Sequence, residues 1–240
     1  HIVSPRRCIS AHDGKRLNTF IFVVNYKVIF HSNFRQADMG KLRERQKADR
    51  EKRILSAAVH KFRANGYKAV RIEDLAEAAE VSVGTVYNYY GTKGDILIAI
   101  VTMEVEEVLA EGQALVDNPP EDPGDALLAL TFCYYDHSLN YLTKEMWRRA
   151  MALSIETPDT PNGQRYAALD AKLAQQVGDL LRRFQAQGKL SPDLDATALG
   201  RVLFNNLNQS FIAFVTGASM SLADLRSDMT ALTKPIARLL

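Results

Sequence analysis

Cysteine is scarce in this 240-residue chain, with Cys8 and Cys133 far apart and matching no metal or redox spacing. That scarcity is read as a reduced, cytoplasmic protein. His1, His12, His31, His60 and His137 are scattered without paired ligand spacing, so no metal site and no cofactor are expected. A Gly-rich phosphate loop and a nucleophile elbow are both missing, and the chain is not read as an enzyme. Long apolar runs are missing too. Phe20–Phe30 is about half of the ~20 residues that a bilayer span needs, and Asn25 and Lys27 interrupt it. With no small-residue cleavage site after it, it reads as neither a membrane span nor a signal peptide. It has the composition of a lone strand, with no second strand to pair with it. The rest of the chain carries helical patterns and no repeat.

Hydrophobic residues make up 47% and charged residues 24%, an ordinary globular balance, and the net charge is only +2. Its distribution says more. Residues 39–98 carry 12 Lys and Arg against 8 Asp and Glu, whereas residues 99–240 carry 12 against 18. A basic front and an acidic rear suit a nucleic-acid-binding end joined to something else. The first 38 residues begin with His1 and differ in composition from the rest of the chain. Met39 is the expected biological start, with 1–38 a non-native or disordered extension. Lys41, Arg43, Arg45, Lys47, Arg50, Lys52 and Arg53 then form a basic run of the kind that reaches phosphates or a minor groove.

The most informative stretch is Ile72–Lys93. Ile72, Leu75, Ala76 and Ala79 form an apolar stripe of helical period. Val86 and Tyr90 continue on a second short helix, with Val81 just before it and Ser82 as its N-cap. Left facing outward are Val83, Gly84, Thr85, Tyr87, Asn88 and Tyr89, followed by Lys93: a small, hydroxylated, amide-bearing and aromatic face without an acid. Such a unit is either a helix-turn-helix or an ordinary αα-hairpin, and spacing alone leaves both open.

Residues from about Arg50 to Leu97 resemble the DNA-binding domain of the TetR (tetracycline-repressor-like) regulators. The matching positions include Ile54, Ala57, Ala58, Phe62, Asn65-Gly66-Tyr67, Asp74-Leu75-Ala76, Val81-Ser82, Gly84-Thr85-Val86-Tyr87, Tyr89-Tyr90, Lys93 and Leu97. Two positions depart from the pattern. Arg71 stands where the family has Ser or Thr as an N-cap. Glu80 stands where it has Gly, in a turn that often needs positive φ. The resemblance implies that Val83, Thr85 and Tyr89 meet base edges and that Tyr87 and Lys93 fix register on phosphates, with Asn88 borderline. For Val83 the alternative is that it turns into the core.

Thr92 with Asp95 opens the next helix as a capping-box pair, and apolar residues on more than one of its sides mark a buried linker. Asp117-Asn118-Pro119-Pro120 closes it. Asp122-Pro123 restarts helix. Further helices run over Thr143–Ile155, from about Gln164 to Gln187, from Ser191-Pro192 to about Thr216, and from Ser221, with Pro235 kinking or ending the last. Phe132, Tyr135, Tyr141, Trp147, Met151 and Asn208 are the candidate lining of a pocket for a small, mostly apolar ligand. Plain core packing of the aromatics, and an amide at a dimer interface, compete with that assignment.

The reading is therefore all-α: an N-terminal three-helix helix-turn-helix domain (39–95) joined by a linker helix to a C-terminal helical bundle (96–240) for ligand binding and dimerisation. The resemblance implies a homodimeric DNA-binding transcriptional repressor, released from a palindromic double-stranded operator by an unknown small-molecule effector, with no membrane partner. The alternative is a helical small-molecule- or protein-binding module without DNA readout.

Overall fold

The structure is a computed structural model that describes the backbone of residues 16–238, with side-chain surroundings from residue 41 onward. Among the described residues there are nine helices and no strand. They are α1 (Arg16–Asn65), α2 (Ile72–Ala78), α3 (Val83–Tyr89), α4 (Lys93–Asp117), α5 (Pro123–His137), α6 (Lys144–Glu156), α7 (Pro161–Ala186), α8 (Ala196–Thr216) and α9 (Leu222–Ala237). None is long and apolar enough to cross a membrane.

The chain divides into two compact units, His1–Arg50 and Glu51–Leu240, so α1 spans the division. In the first unit the candidate strand Phe20–Phe30 is helical, part of α1. An isolated strand has no ladder partner for its backbone, whereas a helix satisfies its own. The part of the expected extension before Arg16 lies outside the described residues. Lys41, Arg43, Arg45, Lys47 and Arg50 are exposed.

In the second unit, Ile54, Ala58 and Phe62 on α1 are all but fully buried. Gly66 stops the helix at φ +80°, its N–H donating to Phe62 O at 3.0 Å. This is the left-handed cap that glycine adopts without strain. Ile72, Leu75, Ala76, Ala79, Val86 and Tyr90 close a shared core with it, as their spacing predicts. The helix-turn-helix and the bundle fall in the same compact unit.

The N-caps follow the sequence closely. Thr92–Asp95 and Ser221–Asp224 form reciprocal capping boxes, and Asp122 caps α5 with Pro123 at its first position. One start differs. Ser191-Pro192 forms a turn, and α8 begins at Ala196, because the Asp195 carboxylate accepts from the N–H groups of both Thr197 and Ala198. Thr160 likewise starts α7 at Pro161, a turn earlier than the periodicity suggests. Pro235 sits in the final turn of α9, which ends two residues later.

α4 is buried on several sides and packs on α5, α6 and α7, and α7 packs in turn along α8. That last contact is close because Gly178 faces Gly200: a Cβ on Gly200 would lie 2.6 Å from Gly178 N.

Candidate nucleic-acid interface and ligand cavity

The two departures from the family pattern have local answers. Arg71 has no acceptor with which to cap α2, but the Asp74 carboxylate accepts from the Arg71 N–H at 2.7 Å. This is the reciprocal half of a capping box, and it ties down the helix start from the inside. Glu80 takes φ +53°, the left-handed turn conformation that glycine would adopt freely. From that turn Ser82 opens α3 by accepting from Thr85 N–H at 3.1 Å, and its hydroxyl also meets the Thr85 hydroxyl at 2.8 Å.

On α3, Val86 is sealed in the core, while Gly84, Tyr87 and Asn88 are exposed, Tyr87 at 51%. Val83, Thr85 and Tyr89 are half-buried, and Val83 and Tyr89 pack against the core. The alternative weighed for Val83, an inward turn, is thus partly realised. The aromatic and amide parts of the surface remain on the outside.

Lys93 is placed differently from a free phosphate-binding lysine. Its ammonium donates to the carbonyls of Tyr67 at 2.8 Å, Lys68 at 3.3 Å and Val70 at 2.8 Å, and lies 4.5 Å from the Tyr67 ring centroid. An ammonium has three N–H donors, and all three are committed here. Lys93 therefore braces the α1–α2 turn from the start of α4. Desolvation lowers its pKa from the ordinary lysine value, with the charge of Arg149 adding to the shift.

Two ties connect these first helices to the bundle. The Arg63 guanidinium donates at 2.7 Å to both Leu139 O and Asn140 O, in the turn after α5. The Asn162 amide, at the start of α7, bonds the Asp95 carboxylate at the start of α4. The α5–α6 turn is itself anchored inward, since Trp147 Nε1 donates to Ser138 O at 2.7 Å.

Trp147 and Ser138 also line a cavity. It is a narrow inner space of about 60 Å³ among α4, α5, α6, α7 and α8, walled by Val105, Tyr135, Leu169, Phe204 and Phe211 among others. That volume holds a few waters or a short alkyl group. An outer cleft of about 510 Å³ between α6, α7 and α8 adjoins it, lined by Arg148, Met151, Ile155 and Ile212. Tyr166, Asp170 and Asn208 belong to both linings.

Of the pocket residues expected from sequence, the structure gathers Tyr135 and Trp147 on the inner cavity, Met151 on the outer one and Asn208 on both. Phe132 and Tyr141 stand elsewhere. The Arg226 guanidinium covers the Phe132 ring at 4.4 Å, and Tyr141 OH donates to Glu107 at 2.8 Å. Glu104, Tyr166 and Asp170 are not among the residues expected from sequence, because that expectation drew on an aromatic cluster. A charge at an inward helix position, Glu104 on α4 and Asp170 on α7, was the signal present. Asp170 is pushed up to about 6 by burial. Among the described residues no group of His, Cys, Asp and Glu could hold a metal ion.

The sequence profile for bacterial regulatory proteins of the tetR family matches residues 54–100, which span the last part of α1 through the start of α4. The chain is 28% identical over 174 residues to the HTH-type transcriptional repressor KstR of Rhodococcus jostii (strain RHA1), covering 71% of this chain and 75% of that protein. It is 27% identical over 163 residues to the HTH-type transcriptional regulator UidR of Escherichia coli (strain K12), covering 64% of this chain and 75% of that one. Among solved structures, a TetR-family transcriptional regulator from Pectobacterium atrosepticum superposes with a TM-score of 0.63 at 18% identity, covering 81% of this chain and 95% of that chain. Thermus thermophilus FadR, a TetR-family repressor solved with lauroyl-CoA, gives 0.57 at 22%, covering 77% of this chain and 93% of that one. The two structural likenesses speak for the fold, and the matched sequence speaks for the DNA-reading unit: this chain is a DNA-binding transcriptional regulator whose residues 54–100 match the tetR family of bacterial regulatory proteins.

Proposed function

We propose that the protein is a homodimeric repressor that binds a palindromic operator and leaves it when a small, largely apolar molecule enters the bundle. Residues 39–95 read the DNA, and residues 96–240 hold the ligand and the partner subunit. The observation that carries this reading is the acid-free outer face of α3, held out by a buried Val86 and by a Ser82 cap. Tyr87 contacts phosphate. Thr85, Asn88 and Tyr89, with Val83 in part, meet base edges. Two such helices in a dimer must match half-sites one or more helical turns apart, roughly 34–36 Å or multiples. The dimer face is the exposed side of α8 and α9, where Val202, Asn205, Gln209 and Leu232 are exposed.

The Arg63 and Lys93 ties give the mechanism its route. A ligand that widens the inner cavity presses on α4, whose N-terminus carries the Lys93 brace. It also presses on the Ser138–Asn140 turn that Arg63 holds. Either displacement alters the spacing of the two recognition helices. Because such coupling is reciprocal, operator DNA weakens ligand binding by the same factor.

The test is binding to the DNA upstream of the protein's own gene, titrated across salt. Tight binding at one dimer per site, well above a scrambled duplex and steeply salt-dependent, is expected. An inverted repeat in that DNA is a second expectation. Weak binding indifferent to sequence would favour the alternative, a helical ligand- or protein-binding module whose helix-turn-helix is structural.

A further inference from the structure

The chemistry at the junction of the two cavities narrows the class of ligand, and this inference rests on the reading of the bundle as a ligand-binding domain. Asp170 stands at that junction with Tyr166 one turn before it on α7 and Asn208 across on α8. The Asp170 carboxylate makes no hydrogen bond or ion pair with a described residue, and burial is the sole cause of its raised pKa. An ionised carboxylate only accepts hydrogen bonds, and burying one without a partner is costly. Around it the walls are apolar: Val105, Leu169, Phe204 and Phe211 inside, Met151 and Ile155 outside.

The second charged group of the inner lining is again a carboxylate. Glu104 is 2% exposed, its Oε1 pairs with His137, and its Oε2 has no hydrogen-bond partner. Among the described residues no Lys or Arg lines the inner cavity, and Arg148 is the one cation lining the outer cleft, where its guanidinium already donates to Val215 O. An anionic head at the junction would meet the Asp170 charge, with Arg148 of the outer cleft the one lining cation to offset it. A neutral chain would leave Asp170 desolvated and unpaired. A cationic donor satisfies it.

We propose that the ligand of this cavity is an apolar molecule carrying a protonated amine, which the Asp170 carboxylate holds at the junction while the Tyr166 hydroxyl and Asn208 amide complete a polar collar. The apolar body lies in the outer cleft, and a short alkyl end enters the inner cavity.

Trp147 is the only tryptophan of the chain and lines the inner cavity, so its fluorescence reports occupancy without any DNA in the assay. The full-length protein is titrated with decylamine, 1-decanol, decanoate and decanoyl-CoA, each below its micelle-forming concentration. Decylamine is expected to bind about tenfold or more tighter than the other three near neutral pH. The preference is expected to fade as pH drops through about 6, where Asp170 takes up its proton. The other titratable or charged groups lining the two cavities are Glu104, Tyr134, Tyr135, Arg148 and Tyr166. Asp170→Asn should erase the preference for amine over alcohol. Equal or tighter binding of decanoate or decanoyl-CoA would overturn the proposal. So would an Asp170→Asn variant that keeps the preference, or the lack of a saturable Trp147 response to any probe. Amine binding by a protein that shows no sequence-specific DNA binding would uphold this inference and sink the repressor reading, which keeps the two failures apart.

Discussion

His137 Nδ1 and Glu104 Oε1 lie 2.6 Å apart, with the two side chains 7% and 2% exposed. The contact pins the end of α5 to the middle of α4. Glu107 and Glu111 extend the same face of α4 toward His137 Nε2, at 3.7 and 3.8 Å. Burial raises the Glu104 pKa above the usual carboxylate value, against the opposing pull of the His137 hydrogen bond and charge. Removing one partner of a buried pair leaves the other desolvated, so Glu104→Ala should cost about 3 kcal/mol in chemical denaturation. Glu107→Ala removes a more exposed partner and should cost under about 1 kcal/mol. Equal losses for the two would show that the buried contact is not what holds α5 to α4.

Glu80 bears strain at φ +53° in the turn before α3. Glu80→Gly relieves about 1–2 kcal/mol of left-handed strain and gives back about 0.5–1 kcal/mol to a floppier unfolded chain. Its ion pair with Arg53 at 3.9 Å involves a glutamate side chain that is 87% exposed, so little is lost there. The expected net gain is about 0.5–1 kcal/mol, seen as a thermal midpoint higher by a few degrees. An unchanged or lower midpoint would mean that the Glu80 side chain contributes more than its geometry suggests.

Lys93 and Tyr87 should separate in DNA binding. Lys93→Ala strands carbonyls of the Tyr67–Val70 turn and should destabilise the fold by about 1–3 kcal/mol, with the salt slope of DNA binding unchanged. Tyr87→Ala, at an exposed site, should leave stability alone and weaken binding to all sequences. A salt slope shallower by about one unit for Lys93→Ala would return the lysine to the phosphate role that the family resemblance implies.

Asp170 makes stability depend on pH. Burial raises its folded pKa from the ordinary 3.8 to about 6. The folded state therefore holds the proton more tightly, and the stability present below about pH 4 is lost as pH rises through about 6. Asp170→Asn escapes that loss. It should match the parent near pH 4 and exceed it by on the order of 2 kcal/mol near pH 7. Parallel pH profiles for the two proteins would show that Asp170 is solvated or paired in solution.

Arg63 ties the first helices to Leu139 O and Asn140 O, next in the chain to Ser138 of the cavity lining. In a dimer that releases DNA on binding ligand, Arg63→Ala should bind operator and ligand each within about threefold of the parent, yet lose most of the ligand-driven release. Unimpaired release would assign the coupling to α4 alone.

Local chemistry was legible without coordinates. Ser82, Thr92, Asp122 and Ser221 start the helices that their side chains predict, because a cap is settled within three residues of chain. The stripe Ile72, Leu75, Ala76, Ala79 and the inward Val86 were readable for the same reason, since helical period puts them on one face. The sequence by itself thus determined most of the helices, these four caps and the outer face of α3. Only the tertiary structure decided where Lys93 directs its three donors, which of the aromatics reach the cavity, and that Asp170 is left without a partner. Each of those outcomes depends on groups that meet across dozens of residues of chain. Tyr135 faces the cavity and Phe132, three residues earlier on the same helix, does not, and no periodicity could say which face of α5 the cavity would take.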